Sequence, residues 1–488
     1  MSIPPGQSEA AALLARLTGD DSPVETHISA VFVGRGRALK LKKAVNLGFL
    51  DFTALPERER FCRRELALNA PAAPGLYRAV HPLTRDADGA LALGGAGSPE
   101  EWVLEMAELP PDGFLDGLAA RGGLDAPLQD ALADRLHALH AALPPVSGWD
   151  AAGEMRRVVE GNRDAAHAVG LPAAAVDAWA GAALAELDRL APALAARAAA
   201  GQVRRCHGDL HLGNWVMWRG EPVPFDALEF DEVLATIDIG YDLAFLLTDL
   251  DQRVGRGAAN RVLNRYLARG ADIGLLAGLP FWMSVRALIR AHCLQRMNGS
   301  GQPWLEAARS YLHRPPARML AVGGLPGSGK SRLARALAPG LGAAPGALVL
   351  RSDEIRKRQH GAAPEQRLPP DAYGAAASAA VHDELFAMAE AAARAGHSVI
   401  ADAAFLDPAM RAGIEEAARR AGVPFAGFWL EAPLEVLEAR VAARIGDASD
   451  ADVAVLKRAA AAGAGAVVWM PLDATQDCLA AARKALGH

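Results

Sequence analysis

The order of apolar and polar positions divides the chain into a mixed start, a long helical middle and an alternating end. Apolar ISAVFV at 28–33 and alternating ALKLKKAV at 38–45 flank the turn GRGR, which predicts two short strands. Residues 56–70 repeat with a helical period, and WVLEM at 102–106 is a further strand candidate. Residues 126–200, and the stretch that ends near Tyr311, carry Leu and Ala at helical intervals. We therefore predict a small mixed lobe followed by a large helical lobe.

A different pattern begins after HRPPAR at 313–318, where paired prolines cannot continue a helix. Helical patterns there separate the apolar runs MLAVGG, ALVLRS, HSVIADAAF, FAGFWLEA and AVVWMP. Strands that alternate with helices predict a parallel sheet of the α/β class. We predict a domain at 1–314, with a small lobe to about 107 and a helical lobe from about 108, and a second domain at 315–488.

Composition and charge exclude several classes of protein. Of the 488 residues, 51% are hydrophobic and 22% charged, which is typical of a folded chain. Charged residues interrupt every long apolar stretch, and the first residues lack the pattern of a signal peptide, so we expect a cytoplasmic protein without a membrane segment. From residue 315 onward the chain has 19 basic and 19 acidic residues. This balance disfavours a basic nucleic-acid-binding surface, although it does not exclude a locally positive groove.

The strongest chemical signal is a phosphate-binding loop at 324–331. It fits G-x-x-x-x-G-K-[ST] and lies between an apolar strand and a helix, as the motif requires. Its backbone amides and the helix N-terminus are expected to hold phosphate, with Lys330 on the β/γ oxygens and Ser331 on Mg²⁺. The loop consists of Gly324, Leu325, Pro326, Gly327, Ser328, Gly329, Lys330 and Ser331.

Downstream residues indicate phosphoryl transfer to a hydroxyl group. Asp353 follows the second strand and can accept the proton of the hydroxyl, while Arg356 can orient an anionic or hydroxylated acceptor. A solvated helix start is the structural alternative for both. Asp402 ends an apolar run and can orient the metal through water. Arg440 and Arg444, four apart on a predicted helix, are candidates for a lid over the phosphates, or for a solvated face.

A second constellation precedes the boundary. HGDLHLGN at 207–214 has the spacing H-x-D-x-x-x-x-N, in which an aspartate contacts the acceptor hydroxyl and an asparagine five residues later holds Mg²⁺. Asp209 is therefore the predicted catalytic residue and Asn214 a metal ligand. Asp226, which follows a short strand, is the predicted second ligand. His207 is expected to buttress the loop by hydrogen bonding.

Three side chains close to this loop are given structural roles. His211 is the weaker candidate for chemistry, because a neighbouring loop histidine is more often structural. Asp238 and Asp242 precede an apolar helix, where N-capping is a sufficient account.

These motifs carry two resemblances. GLPGSGKS, SDEIR, IADAAF and the R-x-x-x-R pair resemble the P-loop kinases that include gluconate kinase, polynucleotide 5′-hydroxyl kinases and zeta toxins. HGDLHLGN, FDALEF and YDLAFLL resemble the aminoglycoside phosphotransferase and choline kinase group, and nearly the whole chain is similar to a bacterial fusion of the two folds. The first resemblance implies ATP-dependent phosphorylation with Asp353 as base. The second implies a bilobal, protein-kinase-like fold.

The second resemblance also implies a nucleotide site in the small lobe. Lys40 would be the lysine on the nucleotide phosphates, with Lys42 as its competitor, because alternation puts both on one strand face. Glu65 would be the helix partner of that lysine. A solvated strand with exposed charges is the structural alternative for both Lys40 and Glu65. No G-x-G-x-x-G loop covers this site, which weakens a protein kinase more than a small-molecule phosphotransferase. The adenine would be held near the backbone of Glu105, Met106 and Ala107.

Together the sequence predicts a bifunctional phosphotransferase with two Mg-ATP sites and small hydroxylated acceptors. A polynucleotide 5′-hydroxyl kinase with an accessory domain is one alternative, and an ATP-sensing regulator with one inactive site is another. The acceptors and the oligomeric state do not follow from the sequence.

Overall fold

A computed structural model describes residues 2–48, 50–86, 88–95, 97–444 and 447–487. The chain forms two compact units, one of residues 1–147 with 203–242 and the other of residues 148–202 with 243–488. Both units draw on the predicted helical lobe, and the predicted domain boundary at 314 stays a prediction. Within the described residues, no helix is both long and apolar enough to cross a membrane.

The start of the chain folds into a six-stranded antiparallel sheet with two helices. Its strands follow the order β1-β2-β3-β6-β4-β5. Its elements are α1 (Ser8–Thr18), β1 (Val24–Glu25), β2 (Ser29–Gly34), β3 (Arg37–Lys42), α2 (Leu55–Asn69), β4 (Tyr77–Arg85), β5 (Leu91–Leu93) and β6 (Pro99–Ala107). The predicted hairpin is confirmed, with Val31 opposite Lys40. Leu39 and Leu41 of β3 pack in one apolar cluster with Leu13 of α1. Because side chains alternate along a strand, Lys40 and Lys42 share the other face.

Residues 108–253 contain helices and four very short strands. These elements are α3 (Leu115–Ala120), α4 (Ala126–Ala142), α5 (Ala151–Ala168), α6 (Ala173–Ala199), β7 (Val203–Arg205), β8 (Trp215–Trp218), β9 (Glu221–Pro224), α7 (Glu232–Ala235), β10 (Thr236–Asp238) and α8 (Ile239–Arg253). β8 and β9 form an antiparallel hairpin that puts Trp215 opposite Pro224. The backbone N–H of Phe225 then donates to the carbonyl of Asn214 at 3.0 Å. This register brings the residue before β8 and the loop after β9 to the same end of the hairpin.

The remaining elements end in a five-stranded parallel sheet, as predicted, with order β12-β13-β11-β14-β15. They are α9 (Arg256–Gly270), α10 (Leu279–Asn298), α11 (Gln302–Tyr311), β11 (Met319–Gly324), α12 (Lys330–Leu337), β12 (Leu348–Arg351), α13 (Ser352–Gln359), α14 (Ala375–Arg394), β13 (Val399–Asp402), α15 (Pro408–Ala421), β14 (Phe425–Glu431), α16 (Leu434–Ala442), α17 (Val453–Ala462), β15 (Met470–Asp473) and α18 (Cys478–Leu486). The carboxyl ends of β11, β12 and β13 lie side by side, because Asp402 is in register with both Val322 and Arg351.

Two details of this sheet depart from the sequence pattern. The last strand begins at Met470 rather than within AVV at 466–468, and Val468 is 87% exposed. The edge strand β12 is covered by asparagines of α9: Asn264 accepts from the backbone N–H of Val349 at 2.6 Å, and Asn260 donates to the carbonyl of Ala347 at 3.0 Å. Side-chain amides thus pair the peptide groups that an edge strand leaves free.

Candidate active sites

The loop between β7 and β8 brings the predicted catalytic residue and a predicted metal ligand into contact. The side-chain nitrogen of Asn214 donates to the carbonyl of Asp209 at 2.8 Å and to its carboxylate at 2.9 Å. Because the amide donates through nitrogen, its oxygen keeps acceptor capacity for a cation. The Nε2 atom of His207 lies 3.0 Å from the carbonyl oxygen of Phe225, which confirms the predicted buttress. Burial lowers the pKa of His207, so its ring is neutral near pH 7.

A chain of ion pairs links the small sheet to the loop after β9. The Lys40 ammonium lies 2.8 Å from Glu65 and 2.6 Å from Asp226, and the Lys42 ammonium lies 2.8 Å from Glu65 and 2.6 Å from Glu229. Glu65, on α2, therefore bridges both lysines. Burial alone would lower the pKa of Lys40, but Asp226 and Glu65 outweigh it and hold that pKa well above its ordinary value.

Besides Glu65, each lysine pairs with a second carboxylate, and these two carboxylates differ in their exposure to solvent. Lys42 and Glu229 have side chains only 1% and 5% exposed, so this pair is sealed inside the unit. Asp226 is 43% exposed, so Lys40 connects the buried cluster to an open carboxylate. Asp226 also has a positive φ of 61°, a strained backbone for a residue other than glycine, and its N–H donates to the Tyr77 hydroxyl at 2.9 Å.

Asp242 differs from its prediction as a helix cap. It lies in the first turn of α8, fully buried, and accepts from the backbone N–H groups of His207 at 3.1 Å and Gly208 at 2.9 Å. The cap interpretation fits Asp238, whose carboxylate accepts from Gly240 N–H at 2.7 Å. Sequence reasoning missed that Asp242 positions the loop that carries Asp209.

The predicted adenine-binding segment is largely engaged within the sheet. The carboxylate of Glu105 lies 2.8 Å from a ring nitrogen of His81, and the N–H of Ala107 donates to the carbonyl of Leu76 at 2.7 Å. Met106 is buried. Adenine binding through residues 105–107 stays a prediction. A hydrogen bond also holds the β2–β3 turn, since the N–H of Gly36 donates to the carboxylate of Glu108 at 2.8 Å.

In the second unit, the phosphate-binding loop follows β11 and leads into α12. Gly327 has a φ of 83°, and a Cβ added there would lie 2.8 Å from the carbonyl oxygen of Leu437, so the close turn requires glycine. The Lys330 ammonium donates to the carbonyl of Leu325 at 3.0 Å. Burial lowers the pKa of Lys330 despite the neighbouring carboxylates of Asp402 and Asp353.

A cavity of about 1080 Å³ brings most of the predicted residues of this unit together. Its lining includes Pro326, Gly327, Gly329, Lys330, Ser331, Asp353, Arg356, Asp402, Arg440 and Arg444. The prediction that places both Arg440 and Arg444 on one helix is wrong, since α16 ends at Ala442. Arg440 donates to the carbonyl of Ala474 at 2.9 Å, and Arg444 lies in the following loop.

The residues predicted to deprotonate and orient the acceptor, Asp353 and Arg356, lie on α13. Burial raises the pKa of Asp353, which has Arg351 and Asp402 as charged neighbours. Arg356 donates to the carbonyl of Ala372 at 2.6 Å, and its guanidinium lies 4.9 Å from the centre of the Tyr373 ring. Arg356 therefore supports the segment that walls the cavity as well as lining it.

Sequence reasoning missed Arg351, the last residue of β12. Arg351 is 4% exposed, and its guanidinium contacts Glu354 at 2.9 Å, Asp402 at 3.3 Å and Asp447 at 2.7 Å. It thus ties the strand end that carries Asp402 to helix α13 and to the loop after α16. Its position directly before the Ser-Asp pair of α13, at the end of an apolar run, was the available signal.

The donor sets of both sites fit a nucleotide with Mg²⁺. In the second site the Ser328 hydroxyl is buried without a hydrogen-bond partner among the described residues, inside a loop whose amides suit phosphate. Ser331 and Asp402 line the same cavity with oxygen ligands of the kind Mg²⁺ prefers. In the first site Asn214 and Asp226 offer oxygen atoms, and the Lys40 ammonium lies 2.6 Å from Asp226.

Two family models match separate parts of the chain. Residues 112–279 match the phosphotransferase enzyme family, and residues 319–463 match an AAA domain family. An uncharacterized protein of Mycobacterium tuberculosis is 28% identical, over 90% of this chain and 89% of that protein. The matches confirm the predicted fusion of a phosphotransferase-like region with a P-loop kinase region.

Two solved structures are similar to this chain. A choline/ethanolamine kinase family protein from Mesorhizobium loti is 15% identical, covering 64% of this chain and 96% of its own, with a TM-score of 0.37. A sugar kinase from Janibacter sp. is 23% identical, covering 35% of this chain and 95% of its own, with a TM-score of 0.28.

Proposed function

Because the chain joins a phosphotransferase-family region to a P-loop kinase region, we propose that it is a cytoplasmic, ATP-dependent kinase with two active sites, each of which phosphorylates a hydroxyl group of a small molecule. The single observation that supports this most strongly is the cavity shared by Lys330, Ser331, Asp353 and Asp402. It combines candidate phosphate-binding, metal-binding and proton-accepting groups in one cavity.

In the first site, the carboxylate of Asp209 accepts the proton of the acceptor hydroxyl. Asn214 fixes this carboxylate through its 2.9 Å hydrogen bond, and its own oxygen would hold Mg²⁺ together with Asp226. Lys40 neutralises phosphate charge, since it faces the open end of the cluster while Lys42 is enclosed. Asp242 holds the loop in place from behind.

In the second site, the loop amides and Lys330 bind the phosphates, and Ser331 and Asp402 would hold the metal. When bound there, Mg²⁺ would supply positive charge that neutralises the transferring phosphates. Asp353 accepts the proton of the acceptor hydroxyl, and its raised pKa makes it a stronger base than an exposed aspartate. Positioning and charge neutralisation account for most of the catalysis in such a transfer.

The test is phosphate transfer from γ-labelled ATP into a metabolite extract, with the products identified by mass spectrometry. Asp209→Asn and Lys330→Ala should each remove one set of phosphorylated products and leave the other. The matched control is Lys457→Ala, whose side chain is 58% exposed. Transfer that survives both substitutions combined would contradict the proposal, as would a wild-type protein that transfers no phosphate.

A further inference from the structure

We propose that the acceptor of the P-loop site carries a phosphate group of its own, so that this site phosphorylates a hydroxyl of an already phosphorylated small metabolite. This inference rests on the proposed function and names its substrate class. It follows from the balance of charge in the cavity.

Cationic side chains are concentrated on the cavity wall. Nine cationic and five carboxylate side chains line it, an excess of four positive charges. The segment from residue 315 onward holds 19 of each sign, so the remainder of that segment has ten cationic and fourteen acidic residues. The nine cationic residues are Lys330, Arg332, Arg335, Arg351, Arg356, Arg367, Arg440, Arg444 and Arg458.

Few of these cations are neutralised by the protein itself. Arg351 contacts three carboxylates within 3.3 Å. Among the described residues, the nearest carboxylates to the others are Glu354, at 3.7 Å from Arg335, and Asp452, at 3.9 Å from Arg367. Cations that line one cavity repel one another, and an anion that binds among them relieves this repulsion. The cavity is therefore built to receive anions.

A nucleotide accounts for about half of the excess. A magnesium-bound nucleoside triphosphate brings about two net negative charges, which leaves about two positive charges in the occupied cavity. A neutral sugar or polyol would leave them unbalanced. A phosphate monoester carries about 1.5 to 2 negative charges near pH 7 and would balance them.

The wall that carries Asp353 also carries cations for this second anion. Arg356 lies one helical turn from Asp353 on α13, and Arg367 and Tyr373 lie on the segment after that helix. Asp450 anchors this segment: it accepts from the ammonium of Lys357 at 2.6 Å and from the N–H of Leu368 at 2.9 Å. The proton acceptor and the cations proposed to bind the anion thus line the same side of the cavity.

The charge distribution favours a small metabolite over a polynucleotide. The cavity volume of about 1080 Å³ lies just above the usual range of small-molecule pockets, about 300–1,000 Å³, which suits a nucleotide with one small partner. A polynucleotide would run beyond the cavity, where the same segment carries more acidic than basic residues.

The test measures binding of inorganic phosphate by calorimetry to protein saturated with Mg²⁺ and a non-hydrolysable ATP analogue. We expect phosphate to bind, and Arg367→Gln combined with Arg356→Gln to weaken that binding at least tenfold while leaving the analogue bound. Arg419→Gln, at an arginine 75% exposed on α15 and outside the cavity, is the control and should bind phosphate as wild type does. Absence of phosphate binding, or binding that the double variant does not weaken, would overturn the inference.

Turnover provides the second arm, in protein carrying Asp209→Asn so that only the P-loop site transfers phosphate. Ribose and ribose 5-phosphate, glucose and glucose 6-phosphate, and a 5′-hydroxyl oligonucleotide are the probes. The inference is supported if the kcat/KM of a phosphorylated sugar is at least tenfold higher than that of the corresponding neutral sugar. It is overturned if a neutral sugar or the oligonucleotide is the better acceptor. Failure of the analogue to bind would instead refute the proposed function.

Discussion

Replacing Lys42 by methionine should destabilise the first unit while sparing nucleotide binding. Lys42 is 1% exposed and lies between Glu65 and Glu229, both nearly inaccessible to solvent. Removing one partner of a buried ion pair costs about 3–5 kcal/mol, because the remaining charge stays buried. For a unit of this size, about 2–4 °C per kcal/mol gives a fall in the unfolding temperature of roughly 6–20 °C.

Lys40→Met is the matched variant, since it removes the same charge two residues away on the same strand face. Glu65 keeps Lys42, and the half-exposed Asp226 regains solvent, so the cost should be about 1 kcal/mol. Nucleotide binding at the first site should be lost instead. Thermal unfolding and calorimetric titration with a non-hydrolysable ATP analogue separate the two outcomes. The reasoning is refuted if Lys42→Met unfolds within about 2 °C of wild type and abolishes binding at this site.

Substitutions of Arg351 and Asp242 and a pH–rate profile of the P-loop site test the remaining assignments. Arg351→Gln should lower kcat of the P-loop site at least about tenfold, with partial recovery in Arg351→Lys, as measured by single-turnover transfer. Asp242→Asn should lower kcat of the first site without raising KM for ATP, because it loosens the catalytic loop at a cost of about 1–3 kcal/mol. Because burial raises the pKa of Asp353, its basic form is lost as pH falls through that raised value. The kcat/KM of the P-loop site should therefore decline at a higher pH than an ordinary aspartate near about 3.9 would give, in a pH–rate profile.

Local patterns were sufficient to predict the elements that carry phosphate chemistry. The phosphate-binding loop and the alternation around Lys40 depend on residues close in sequence, and the structure places both as expected. The parallel sheet followed in the same way, because apolar runs separated by helices leave few other arrangements. The last strand begins later than the apolar run at 466–471 predicts, because Val468 is apolar but exposed to solvent.

Long-range pairing could not be predicted from one sequence. The role of Asp242 depends on a loop 34 residues earlier in the chain, so its helix-start position suggested only a cap. Arg351 meets Asp447 across 96 residues, and the choice between Lys40 and Lys42 depends on Asp226 and Glu229, which lie more than 180 residues away. Each of these contacts requires tertiary packing that no periodicity encodes.

The stoichiometry of nucleotide binding tests the central claim of two active sites most directly. Calorimetric titration of the full chain with Mg²⁺ and a non-hydrolysable ATP analogue should give two sites per chain, one after Lys330→Ala or Lys40→Met, and none after both. A single site in the wild-type protein, or two sites that survive either substitution, would contradict the account.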